Sequence, residues 1–194
     1  KSEKIKIGIS LNLIFQKINK NKIKCIYYFY EYDSYIQIIN DSDWCGRNKN
    51  KEIQNNVEII ISGKKETNIL KYYPQKKGIY EIIINEVKTL KDLSYMFYNC
   101  KSLISIDLSN FNFENIINMS FMFSNCYNLN KLNLSNINAN KVINISYMLD
   151  NCRSLKEINF SNFYANSLIN MSGMFNGCSS LSSINLLNFN TNNI

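Results

Sequence analysis

Cysteine is the residue with the most chemistry to offer in this chain, and four of its six cysteines obey a rule. Cys100, Cys126, Cys152 and Cys178 each follow the last by 26 residues. Thiols can hold zinc, form disulfides or act as nucleophiles, and each use demands its own spacing. Zinc sites draw on close pairs of the C-x-x-C kind, and the chain has none. A nucleophilic thiol needs a base, and histidine is absent throughout. A column of side chains stacked at the inter-strand distance of ~4.8 Å also sits wider than the ~3.8 Å between the Cβ atoms of a disulfide. The four thiols therefore read as a packed, unbridged ladder of small hydrophobes. Whether Cys25 and Cys45 pair is left open.

The other candidate sites fare no better as chemistry. Asp41, Asp43, Gly46 and Glu52 fall at positions 1, 3, 6 and 12 of a calcium-loop pattern, but Cys45 takes position 5. Arg47, Lys49 and Lys51 crowd it with the wrong charge, so a connecting loop is expected. Asn40, Asn118, Asn133, Asn144, Asn159 and Asn170 each begin an N-x-S glycosylation pattern, which so asparagine-rich a chain produces by accident. Asn110, Asn136, Asn162 and Asn188 form a further 26-residue column, expected to be buried and to bond backbone groups of the adjacent unit. No catalytic set, metal site or cofactor site is expected, and the chain is not read as an enzyme.

A fixed period of this length marks stacked repeats, and each unit can be built from its own residues. Met119, Met122, Phe123 and Cys126 fall at i, i+3, i+4 and i+7, one face of a short helix, and the face recurs three times. Asp92, Asn118, Asn144 or Asn170 precedes it as an N-cap. Asn99, Asn125, Asn151 or Gly177 ends it with a residue that tolerates the left-handed conformation. A strand follows, as in Leu103-x-x-Ile106-x-Leu108, with Phe111, Ile137, Phe163 and Phe189 turning inward beyond it. The pattern predicts an α/β leucine-rich-repeat solenoid of four coils, one strand and one helix per coil, over residues 78–194. The last coil, reaching Ile194 without a polar cap, predicts a truncated C-terminus.

These repeats resemble the BspA-like leucine-rich repeats of bacterial surface proteins and protists. The motif N-M-S-x-M-F-x-N/G-C-x-S-L-x-x-L-x-L stands almost verbatim at Asn118–Leu134 and Asn170–Leu186, and the likeness runs from Leu90 to the end. Leu149 in place of Phe and Leu187 in place of Ser are its departures. The resemblance implies adhesion or another protein-binding role at the cell surface, without catalysis.

Residues 1–77 read as a β-rich capping domain. Alternation in Lys1–Asn21 suggests a strand, Lys22–Tyr32 and Tyr35–Ile39 two more, and Val57–Ser62 with Glu66–Tyr73 a hairpin about Gly63-Lys64. Ile79–Asn85 lies one period before the first repeat strand, which predicts that it pairs with that strand as the cap. Net charge is +7, with lysines concentrated in the first 77 residues, and no apolar run approaches the ~20 residues of a membrane helix.

The leading functional reading is a protein–protein interaction module that binds through its sheet face. Ile104, Lys131, Lys156, Glu157, Asp107, Asn133 and Asn159 are its candidate contacts, because the outward columns vary while the core columns do not. The alternative is a structural subunit that meets its neighbours through an aromatic stripe on the helix side (Tyr95, Phe121 and Tyr147) or through the open end of the array. Nucleic-acid binding rests on net charge alone and is the weakest of the three.

Overall fold

The computed structural model describes residues 21–30, 33–40, 53, 55–66, 70–86, 88–186 and 194. The strand expected before Asn21, the acidic loop Asp41–Glu52 with Cys45, and Phe189 lie outside them.

Alternation builds the first strand. In β1 (Lys22–Phe29) the side chains of Ile23, Cys25, Tyr27 and Phe29 point inward and are buried, while Lys24 faces water. Two short strands follow, β2 (Ile36–Gln37) and, after β3 (Val57–Ile61) and β4 (Lys64–Glu66), β5 (Lys71–Tyr72). β3 and β4 make the expected hairpin, but its turn is Ser62-Gly63, both at positive φ (50° and 79°), as a tight two-residue hairpin demands. β5 leaves that hairpin and pairs with β2 in a separate two-stranded sheet. The long strand β6 (Gly78–Glu86) and the repeat strands β7 (Leu103–Asp107), β8 (Lys131–Asn133) and β9 (Glu157–Asn159) complete the set.

Seven strands form one mixed sheet in the order β4-β3-β6-β1-β7-β8-β9. Its first half is antiparallel; β7, β8 and β9 run parallel in strict 26-residue register. A single row of apolar side chains crosses it: Ile61, Ile82, Cys25, Ile106, Leu132 and Ile158, all buried except the half-buried Ile158. The strand beside the first repeat is therefore β1, not the Ile79–Asn85 segment that the period pointed to. That segment, now β6, lies one strand further out, and the sheet runs unbroken across residue 77. Period alone located a strand of suitable pattern but could not tell that the more apolar β1 would take the inner place.

The expected α/β leucine-rich-repeat solenoid, with a helix in every coil, is not what forms. The described residues are almost all sheet and turn. Ile53, Asn55 and Asn56 are helical, and no other described residue is. Where the helices were expected, each unit makes consecutive tight turns, closed by bonds such as Met96 N to Leu93 O, Tyr98 N to Tyr95 O and Cys100 N to Phe97 O. The reason lies in the middle of the segment. Tyr95, Phe121 and Tyr147 adopt φ of 59°, 56° and 53°, and Gly173 matches them at 63°. One left-handed residue interrupts any α-helix, because the chain no longer offers carbonyls to the N–H groups four residues on.

Those N–H groups are satisfied sideways instead. Met119, Phe121, Phe123 and Asn125 donate to Asn144, Ser146, Met148 and Asp150 of the next unit at 2.8–3.0 Å, and the repeats on either side do likewise. The expected cap residues keep a local role. Each side-chain oxygen of Asp92, Asn118, Asn144 and Asn170 accepts the N–H two residues on, at 2.8–3.0 Å. This closes an Asx turn rather than a helix. Because successive turns also bury positions i, i+3, i+4 and i+7, the helical spacing was real but its cause was not.

Truncating the central row separates packing from polar contributions. Leu132→Ala is expected to lower stability by about 2–5 kcal/mol through the cavity it leaves. Tyr27→Phe, which loses only a hydroxyl bonded to Ile38 O at 2.8 Å, is expected to lose about 0.5–1.5 kcal/mol. Denaturant unfolding of both variants checks the ranking.

Candidate functional site

The sheet has one face against the core and one toward solvent, and the outward side chains of the repeat strands form two columns. One is Ser105, Lys131 and Glu157, paired in register across β7, β8 and β9. Lys131 and Glu157 are exposed, and their charges meet at 3.0 Å. So open an ion pair contributes little to stability and leaves both groups available to a partner. The other column, Asp107, Asn133 and Asn159, is already employed. Each Oδ1 accepts the N–H two residues on, at 2.9, 3.1 and 2.9 Å, and Asn133 Nδ2 donates to Asp107 Oδ1 at 3.0 Å. All three end their strands with a local turn, and Asp107 and Asn133 also tie two neighbouring repeats together. Ile104 is half-buried beside them, and Lys156 is exposed next to Glu157.

The aromatic candidates come together as a ladder. Tyr95 stacks on Phe121 at 4.8 Å and 5° between ring planes, and Phe121 on Tyr147 at 5.0 Å and 11°. All three sit on turns. Tyr147 is 39% exposed, and its ring covers Gly173, where an added Cβ would lie 2.4 Å from a ring carbon. The stack therefore roofs the left-handed residues, and glycine ends it. Gly173 was the one signal in the sequence that this column needs positive φ.

The cysteine column is buried at Cys100, Cys126 and Cys152 and half-buried at Cys178, and these four thiols and Cys25 are unbridged. Each thiol of the later repeats donates to a carbonyl of the preceding unit: Cys126 to Phe97 O (3.0 Å), Cys152 to Phe123 O (3.3 Å) and Cys178 to Leu149 O (3.2 Å). Burial pushes the thiols of Cys25, Cys126 and Cys152 well above their ordinary range, and that of Cys178 up to about 11. A thiol held neutral in this way is a poor nucleophile and a poor metal ligand. Among the described residues no group of three or more His, Cys, Asp or Glu could hold a metal ion.

The asparagine column expected to be buried is not, at its three described positions; Asn188 lies outside the described residues. Asn110, Asn136 and Asn162 are exposed, the latter two left-handed (φ 58° and 57°), and Asn162 Nδ2 donates to Asn136 Oδ1 at 2.9 Å. Of the glycosylation patterns, Asn40 is fully buried, which bars its use in the folded protein.

Asn40 and its neighbours are a capping element that sequence reasoning passed over. Asn40 N donates to Met96 O at 2.9 Å and Gln37 Nε2 to Tyr98 O at 3.3 Å, while Ile38 O accepts from the Cys100 thiol (3.6 Å) and the Tyr27 hydroxyl. Met96 O and Tyr98 O belong to columns that, in every later unit, accept from the preceding repeat. Residues 37–40 stand in for the repeat that is not there. An apolar Ile38-Ile39 before Asn40 was the available clue.

Residues 75–194 match the model of a family described as "Mycoplasma protein of unknown function, DUF285". No curated protein and no solved structure gives a match. Among the described residues no helix is long and apolar enough to cross a membrane.

Thiol reactivity tests the burial. Cys126 and Cys152 are expected to resist alkylation in the native protein and react fully when unfolded, with Cys178 intermediate; fast native labelling at Cys126 or Cys152 contradicts the packing. Because the folded thiols titrate higher than unfolded ones, the unfolded chain holds fewer protons above pH 9. Stability is then whole below pH 9 and declines from about 9 upward for all of them, ending near 11 for Cys178 and higher for Cys25, Cys126 and Cys152. Unfolding midpoints across that range check the sign.

Proposed function

We propose that this chain, which belongs to the DUF285 family, is a non-catalytic binding module that meets a protein partner on the outer face of its repeat strands. What supports the reading is a division of labour within that face. Asp107 and Asn133 join neighbouring repeats and Asn159 closes a local turn, whereas Lys131, Glu157 and Lys156 contribute almost nothing to the array and stand in water at the repeat end of the sheet surface. Charged groups on a rigid support give a partner orientation and specificity at little conformational loss. The likeness of the repeat motif to those of surface proteins supports the same class of role.

A second reading takes the aromatic ladder as the contact between subunits of an assembly. Its support is the exposure of Tyr147 and the flat, continuous stack.

Swapping charges distinguishes the two without disturbing the fold. Lys131→Glu combined with Glu157→Lys keeps an ion pair at the same place and reverses the pattern presented outward. Together with Lys156→Glu, it is expected to abolish capture of a co-purifying partner while moving stability by no more than ~0.5 kcal/mol. Tyr147→Ala is expected to leave capture intact. If capture is lost only in Tyr147→Ala and survives the charge swap, the sheet-face reading is wrong.

A further inference from the structure

A different edge of the repeats, beyond the ends of the strands, carries two adjoining recesses. The first, about 250 Å³, is lined by Asn110, Asn112, Glu114, Asn136 and Asn138 among others. The second, about 480 Å³, shares Asn136 and Asn138 and continues along Asn140, Asn162 and Tyr164. Together they make a shallow groove running across three successive repeats.

The lining is polar, largely uncharged and held in place. Asn112 Oδ1 accepts from Glu114 N at 2.9 Å, Asn138 Oδ1 from Asn140 N at 3.4 Å, and Asn140 Oδ1 from Asn166 N at 3.3 Å. At Asn138 and Asn140 this commits the amide oxygen to backbone and turns the NH2 group outward as a donor, whereas the Asn112 NH2 is directed to the Glu114 carboxylate at 3.5 Å. Asn162 supplies its own oxygen in the reverse sense, because its Nδ2 is spent on Asn136. Glu114 adds a carboxylate acceptor at one end, and Tyr164, 48% exposed, adds a flat ring at the other.

This inventory selects a ligand class. No lysine or arginine lines either recess, so phosphate and nucleic acid lack a counter-charge. The apolar lining of Phe111, Phe113 and Ile137 is buried, so a lipid or greasy peptide finds little to cover. A neutral sugar chain fits both conditions. Its hydroxyls donate and accept in alternation, as the amides do, and the C–H face of a sugar ring can lie on Tyr164. We propose that this asparagine-lined groove binds a neutral oligosaccharide extended along the repeats, independently of any protein contact on the sheet face. Pre-set amides favour such binding because little freedom is left to lose.

The probes are cellohexaose, maltohexaose and the hexamer of N-acetylglucosamine, each titrated to millimolar concentration into 15N-labelled protein. At least one is expected to shift the side-chain amide signals of Asn136, Asn138 and Asn140 saturably and leave Lys131 and Glu157 unmoved. Tyr164→Ala and Asn138→Ala, both at exposed positions, are each expected to weaken that binding by about tenfold or more. The map on the unaltered protein stands even if a variant folds poorly. The proposal is overturned if none of the three sugars shifts these amides, if the shifts fall elsewhere, or if both variants fold and bind as before.

Discussion

Everything in this molecule depends on where the N–H groups of the turn segments find their acceptors. A left-handed residue at Tyr95, Phe121, Tyr147 or Gly173 removes the helical solution, and burial removes water as an alternative. The carbonyls of the next unit remain, and they are reachable only if successive units lie in strict register. The 26-residue period is therefore a hydrogen-bonding constraint before it is a packing one. The apolar columns follow from it, since units locked at one spacing place like side chain over like: Phe97 stacks on Phe123 at 5.4 Å, and Tyr95 on Phe121.

A stack of this kind has a first unit with nothing before it. The protein answers with two pieces from outside the repeats. β1 supplies the missing strand, running antiparallel to β7 where later repeats run parallel, so the sheet closes without copying the repeat. Residues 37–40 supply the missing turn, giving Met96 O, Tyr98 O and the Cys100 thiol the partners that a preceding unit would have offered. Tyr27 joins the two pieces, its ring buried under β1 and its hydroxyl on Ile38 O. The rigidity passed along the stack is what lets surface side chains such as Lys131 and Glu157 be positioned without being needed.

Much of this was legible in the sequence, though for uneven reasons. The period, the buried columns, the strands at Leu103, Leu132 and Ile158, and the left-handed Asn99, Asn125, Asn151 and Gly177 could be read because each rests on local chemistry. The helix could not be told from paired turns, since both bury i, i+3, i+4 and i+7. Gly173 alone argued against it. The order of strands was hidden because β1 and β6 both read as strands, and the period pointed to β6 although β1 is the more apolar. At the candidate site, residue type misled: asparagine at 133 and 159 suggested variable surface, yet its side chain is structural, and the Asn110 column was judged buried when it faces water. The asparagine groove spans three repeats and needed the stack itself to become visible.

The most direct measurement is amide hydrogen exchange at Met119, Phe121, Ile145 and Tyr147. In a helix capped by Asn118 or Asn144 these lie in the first turn, where N–H groups have no intrahelical acceptor and exchange readily. In the stacked-turn arrangement they donate to Asn144 O, Ser146 O, Asn170 O and Ser172 O at 2.8–3.0 Å. Slow exchange at all four, comparable with Leu132 in the sheet, is the expected result. Rapid exchange at these positions, with protection beginning only a turn later, would contradict the account.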